Sequence, residues 1–189
     1  MKIFALALAL ASPLALAASW QLDNTQSSLH FVSVKNDTVA EVHQFKQLSG
    51  SWDGENVKVS IAANSLETQI PIRNERIWQY VLNSAQYATV DVGAKLKMQN
   101  IEALSVGGST VQELPLSVTI SGNTATISSK IRITRISNTV LQASTEAPLM
   151  LNTANFKLTD GIAKLQELAG LKRIDAMVPV SFNVRFTQQ

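Results

Sequence analysis

The sequence predicts an all-β domain, an antiparallel sandwich or barrel carrying two short helices. Three observations lead there. Apolar and polar residues alternate over several runs, which marks strands with one buried face. Short stretches of turn residues separate those runs. The last run, residues 178–186, is long and has one wholly apolar face, which favours a barrel whose inside that face would line.

Residues 28–34 alternate around Leu29 and Phe31, although both faces are partly apolar. Val57, Val59 and Ile61 then alternate with Lys58 and Ser60. Val90, Val92, Ala94, Leu96 and Met98 stand opposite Asp91, Lys95 and Lys97. Leu114, Leu116, Val118 and Ile120 repeat the rule, and so do Ile127, Ile131 and Ile133 around Lys130 and Arg132. Val178, Val180, Phe182, Val184 and Phe186 close the series against Asn183 and Arg185. Ser49-Gly50, Asp53-Gly54, Gly107-Gly108 and Ser121-Gly122-Asn123 have turn chemistry, and the Gly122-Asn123 pair reads as a tight hairpin.

Two segments depart from period two. Residues 73–83 follow Pro71 and place Ile77, Tyr80 and Val81 near helical spacing. Residues 160–171 carry an apolar stripe of Ile162, Leu165, Leu168 and Ala169. Thr159 or Asp160 is the expected cap of that helix, and Gly170 its end.

Residues 1–17 read as a cleavable secretory signal: Lys2, an apolar run interrupted by Pro13, then Ala15-Leu16-Ala17 as a small-x-small cleavage site. The run is shorter than the ~20 residues that cross a bilayer core. The expectation is therefore one exported domain, residues 18–189, soluble in the bacterial periplasm. Formal net charge is only +2 for the whole chain, so no general pull toward nucleic acid or an anionic membrane exists. Charged residues are 16% of the chain, against a typical ~25%. There are no cysteines, which removes thiol nucleophiles, thiolate metal sites and thiol redox chemistry.

Signatures of catalysis are sparse. The chain has two histidines, His30 and His43, and neither lies in a metal-ligand pattern. No nucleophile elbow, phosphate loop or dinucleotide fingerprint occurs. Glu75, set between Arg73 and Arg76, reads as a solvated helix face, and Lys130, Arg132 and Arg135 as an exposed sheet face. No catalytic residue and no metal ligand is assigned, and no cofactor is required. What remains is a binding module. A barrel of about eight strands is just wide enough to be filled by side chains or to hold one small ligand, and periodicity alone leaves both open. The inward faces above are apolar, which suits an apolar ligand.

Several motifs, in order, carry a family resemblance. Trp20-Gln21-Leu22-Asp23 and then Ser27-Ser28-Leu29-His30-Phe31 form an aromatic, an Asp and a Ser-led strand opening. Phe45-Lys46-Gln47-Leu48-Ser49-Gly50 follows, then Ala63-Asn64-Ser65-Leu66-Glu67-Thr68, ahead of a short helix led by Arg73. With the helix at 160–171 and the closing strand, the series resembles the YceI-like polyisoprenoid-binding proteins of bacteria over nearly all of the mature chain. The chain is a divergent member: Arg73-Asn74-Glu75-Arg76 stands where that family has Arg-Asp-x-His, and Ala88 where it has a proline.

The resemblance implies an eight-stranded lipocalin-like barrel that holds an isoprenoid chain, such as a quinone or a prenyl phosphate, without catalysis. Each isoprene unit buried contributes a few kcal/mol gross at ~0.8 kcal/mol per methylene, and ordering the tail offsets much of that. The expected lumen residues are Leu29, Phe31, Val92, Leu96, Leu116, Val118, Val180 and Phe182. Trp78 and Tyr80 are expected at the mouth, with Arg73 or Arg76 near a polar head group. Expected partners are the isoprenoid lipid, a membrane or membrane protein met transiently, and a second copy of the chain as a homodimer. Two other readings stand beside this one: an exported hydrolase or isomerase on a hydrophobic substrate with His30 or His43 as base, and a stress-related structural or adhesion barrel with a side-chain-filled core.

Overall fold

The computed structural model describes residues 19–189; the expected signal at 1–17 lies outside them. Twelve strand segments follow the chain: β1 (Trp20–Leu22), β2 (Ser28–Lys35), β3 (Val39–Phe45), β4 (Leu48–Trp52), β5 (Asn56–Ala62), β6 (Leu66–Glu67), β7 (Thr89–Lys95), β8 (Ser109–Ile120), β9 (Asn123–Ser137), β10 (Val140–Thr145), β11 (Leu149–Asn152) and β12 (Met177–Gln188). Helix α1 (Pro71–Arg76) lies between β6 and β7, and α2 (Thr159–Ala169) between β11 and β12.

The segments join into eight full-length strands. β1 with β2, β3 with β4, β5 with β6, and β10 with β11 are each one interrupted strand, because both members of a pair bond to the same neighbours. Each strand pairs antiparallel with the next in sequence. β12 pairs β10 and β11 on one side and β1 and β2 on the other, which closes the sheet into an up-and-down barrel. Closure removes the sheet edges that an open sandwich would leave.

The β8–β9 hairpin is in register from Ser109↔Thr134 to Ile120↔Asn123. Its turn is Ser121-Gly122, with φ of 49° and 74°, as a two-residue turn with both centres left-handed requires. The expected turn is thus one residue too late: Asn123 pairs with Ile120, and its side-chain amide donates to the Ser121 carbonyl at 2.9 Å. Ser49-Gly50 is not a turn either. It lies inside β4, where a Cβ on Gly50 would stand 2.5 Å from the Lys58 carbonyl oxygen of the next strand. That glycine answers to a close approach rather than to a change of direction.

The expected helix at 73–83 begins earlier and changes type. Pro71 occupies the first turn of α1, where its missing N–H costs nothing. Ile77–Val81 then continues as a π-helical turn, with the Leu82 N–H donating to the Ile77 carbonyl at 2.9 Å. α2 ends at Gly170 in the left-handed conformation, as expected, but Leu158 stands at its N-cap with no side-chain bond. Thr159 and Asp160 fall in the first turn instead, and the Asp160 carboxylate there faces the positive end of the helix dipole.

The two ends of the barrel differ. At one, Trp20 and Trp52 are each 2% exposed, their rings 5.6 Å apart, and Ile101 is buried beside them in the same core. The Trp52 indole N–H donates to the Leu96 carbonyl at 2.8 Å, so a polar atom buried in this plug is satisfied. Both helices sit at the other end. α2 packs against the π-turn, and a Cβ on Gly161 would collide with the Tyr80 carbonyl oxygen. The Arg76 guanidinium donates to the Leu168 carbonyl at 3.3 Å, tying α1 to the C-terminal turn of α2.

Candidate functional site: an apolar lumen roofed by two helices

Alternation along each strand sends every second side chain inward. At the plugged end those side chains pack. Toward the helices they do not: Leu29, Phe31, Phe45, Val178, Val180 and Phe182 face inward yet stay only partly buried, because open space lies in front of them. That space is a cavity of about 220 Å³. It is roofed by Ile77 and Val81 of the π-turn and by Ile162 and Leu165 of α2. A smaller cavity of about 90 Å³ lies toward the plug, lined by Trp52, Val57, Ala94, Leu96 and Ile133 among others. Both are lined by Val92, Leu116 and Phe182, so this layer divides one lumen into a wide and a narrow chamber. A dry apolar cavity of ~150 Å³ already holds a benzene molecule, and the wide chamber is larger.

The expected lumen residues distribute over the two chambers. Leu29, Phe31, Val118 and Val180 line the wide one. Leu96 lines the narrow one, and Val92, Leu116 and Phe182 line both. The residues expected at the mouth are not part of the lining itself. Arg73, Arg76, Trp78 and Tyr80 line neither chamber, and their neighbours Ile77 and Val81 do so instead. Ile77 and Val81, four residues apart, share the face of the π-turn that meets the chamber. Trp78 is packed against the core and Tyr80 is 38% exposed.

Both arginines already have partners. The Arg73 guanidinium donates to Glu41 at 2.9 Å and to the Thr68 carbonyl at 2.6 Å. Glu41 also binds Lys35 at 2.8 Å. Hydrogen bonds from Lys35 and then Arg73 hold the Glu41 carboxyl below its usual range against the opposing effect of burial. These contacts fasten α1 to β3, whose length beyond Gln44 and Phe45 has no strand partner on that side.

The two histidines separate. His30 alternates with Leu29 and Phe31 and so lies on the outer face of β2. His43 is 4% exposed, its ring 5.1 Å from that of Phe31, with Nε2 at 2.9 Å from the Ser33 hydroxyl. Burial, followed by the nearby Arg73 charge, lowers its pKa below the usual 6.5, so the ring is neutral at neutral pH. Its Nδ1 has no hydrogen-bond partner, so no carboxylate orients it as a general base is oriented in a triad. Sequence reasoning passed over Ser33; the antiparallel register of β2 and β3, with Phe31 opposite His43, is the signal that brings it to the imidazole. Among the described residues no group of three or more His, Cys, Asp or Glu side chains could hold a metal ion.

This architecture has known counterparts. A polyisoprenoid binding domain from Saccharophagus degradans, implicated in plant cell wall breakdown, superposes with a TM-score of 0.88 at 30% identity, over 92% of this chain and 99% of that one. BcnA from Burkholderia cenocepacia superposes with a TM-score of 0.64 at 13% identity, over 87% of this chain and 98% of that one, and so shares the fold. Among curated proteins, none matches the sequence at a significant level. The model of the YceI-like domain matches residues 20–186, from the buried Trp20 of the plug to the last inward phenylalanine of β12, and the chain belongs to the YceI-like family.

Proposed function

We propose that the protein holds the tail of an isoprenoid lipid in its lumen, as a periplasmic carrier or scavenger that performs no chemistry on it. One observation carries the reading: the wide chamber is an apolar space of about 220 Å³ inside the barrel, continued by the narrow chamber of about 90 Å³. Protein interiors are normally close-packed, and leaving apolar walls without contact partners costs stability. A tail that fills the chamber restores those contacts. The similarity to a polyisoprenoid binding domain supports this choice of ligand, and the signal-like residues 1–17 support export. Delivery would bring the helical end against a membrane, and Ile70, Ile72 and Tyr80 are the large apolar side chains exposed around α1.

Mass spectrometry of solvent extracts from natively purified protein tests the reading. The expected result is a co-purified prenyl lipid, or saturable uptake of an added isoprenoid quinone by lipid-free protein. Repeated extraction of no prenyl lipid, together with no uptake, would sink it.

A further inference from the structure

The wide chamber is apolar except in one place. Of the residues that line it, only Ser33, Thr153 and Asp175 have polar side chains. The three gather at the helical end. The Asp175 N–H donates to the Val34 carbonyl at 2.9 Å, and the Thr153 N–H to the Ala176 carbonyl at 2.9 Å. A bound tail therefore has one end at which a polar head group can sit.

The charges around that end do not suit an anion. Among the described residues no lysine or arginine lines either chamber. Lys35 and Arg73, the cations whose fields reach His43, are both bound to Glu41. Arg173 binds Asp175 at 2.9 Å and Asp37 at 3.5 Å. A phosphate here would meet the Asp175 carboxylate and no cation among the described lining residues, and an unpaired buried charge is costly.

Ser33 supplies the opposite preference. The His43 tautomer follows from the hydrogen-bond network. Nδ1 is buried without a partner, and a buried N–H with no acceptor is the costlier and rarer of the two choices. The proton is therefore assigned to Nε2, which donates to the Ser33 hydroxyl oxygen at 2.9 Å. With its oxygen accepting from the ring, the Ser33 hydroxyl keeps its own proton to donate. Among the described residues it has no other side-chain or backbone partner, and Ser33 lines the chamber.

We propose that Ser33, oriented by His43, donates a hydrogen bond to an uncharged acceptor oxygen of the ligand head, so that the lumen takes isoprenoids ending in a carbonyl-bearing ring over those ending in phosphate. This rests on the lipid-holding reading above and adds a head-group preference to it.

Three probes of equal tail length test it by calorimetric titration of the full mature chain: an isoprenoid quinone, the isoprenyl phosphate and the head-less hydrocarbon. Wild type is expected to bind the quinone at least about tenfold tighter than the phosphate, the ratio that one well-made hydrogen bond supports. Ser33→Ala should lose about that factor for the quinone and nothing for the hydrocarbon, and Ser33→Thr should restore it. The carbonyl stretch of the bound quinone should rise in frequency in Ser33→Ala, since its hydrogen bond is gone. Phosphate binding equal to or tighter than quinone binding, or a quinone affinity and carbonyl frequency untouched by Ser33→Ala, would overturn the head-group assignment and leave the lipid-holding reading intact. Failure of folded wild type to bind any of the three would overturn that reading itself.

Discussion

The His43 imidazole sits between Phe31 and the Arg73–Glu41 pair, where burial and the Arg73 charge both oppose its protonation. Its folded-state pKa lies below the usual 6.5, so the unfolded chain takes up the proton first as pH falls. The stability that neutral His43 contributes is complete above pH 6.5 and is lost as pH drops from there through the lower folded-state value. The thermal midpoint of wild type should therefore fall more steeply below pH 6.5 than that of His43→Gln, which has no such proton to bind. Scanning calorimetry across that range checks this, and parallel slopes would count against it. Glu41 contributes in a lower window: its depressed carboxyl stabilises the fold above its ordinary 4.5 and loses that contribution as pH falls further. Glu41, His43 and Arg73 also show what single residues concealed in the sequence. His43 is buried and Glu41 and Arg73 half-buried, which is legible only once β2, β3 and α1 are brought together.

At the scale of elements, the roof depends on how closely α2 meets the π-turn. Gly161 permits the contact, because any Cβ there would strike the Tyr80 carbonyl oxygen. Glycine to alanine inside a helix ordinarily gains up to ~1 kcal/mol. Here the collision outweighs that gain, and Gly161→Ala should destabilise the protein by about 1–3 kcal/mol, the usual cost of overpacking. Denaturant unfolding measures the sign directly, and a stabilised variant would contradict the packing described. Legibility followed the same physics. β5, β7, β8 and β12 have one face packed or lining the lumen and one face wet, so their periodicity alone located them. β3 escaped because its inward Glu41 and His43 are polar, and β4 because Gly50 looked like a turn. The site divides likewise. Strand residues such as Leu116 and Phe182 were readable from alternation, and the apolar faces at Ile77, Val81, Ile162 and Leu165 from helical spacing, but not that those faces close one end of the barrel. The π-turn carries Ile77 and Val81 to the chamber and leaves Arg73, Arg76, Trp78 and Tyr80 outside it.

Across the whole molecule, the layer of Val92, Leu116 and Phe182 separates the two chambers, and under the proposed function it should set how much tail the lumen takes in. Tails confined to the wide chamber need not pass it, and longer ones must enter the narrow chamber of about 90 Å³. Ala94 lines only the narrow chamber, so Ala94→Leu should fill it without touching the wide one. Filling a cavity of this kind typically adds about 0.5–2 kcal/mol to the ligand-free protein. The same change should weaken binding of long isoprenoids while leaving short ones unaffected. A series of tail lengths titrated into both proteins checks this, and equal losses at every length would show that the chambers do not divide the tail.

The barrel's meander has a further consequence, in time rather than in space. Every ladder but one joins strands that are neighbours in sequence, and the exception is the seam that pairs residues 20–31 with residues 180–188. Closing so long a loop is among the dearest steps in entropy and among the slowest in rate. A chain emerging with its amino end first holds all of its inner wall as an open, curling ribbon until β12 arrives. The barrel thus has no enclosed interior until β12 takes its place between the first and last hairpins.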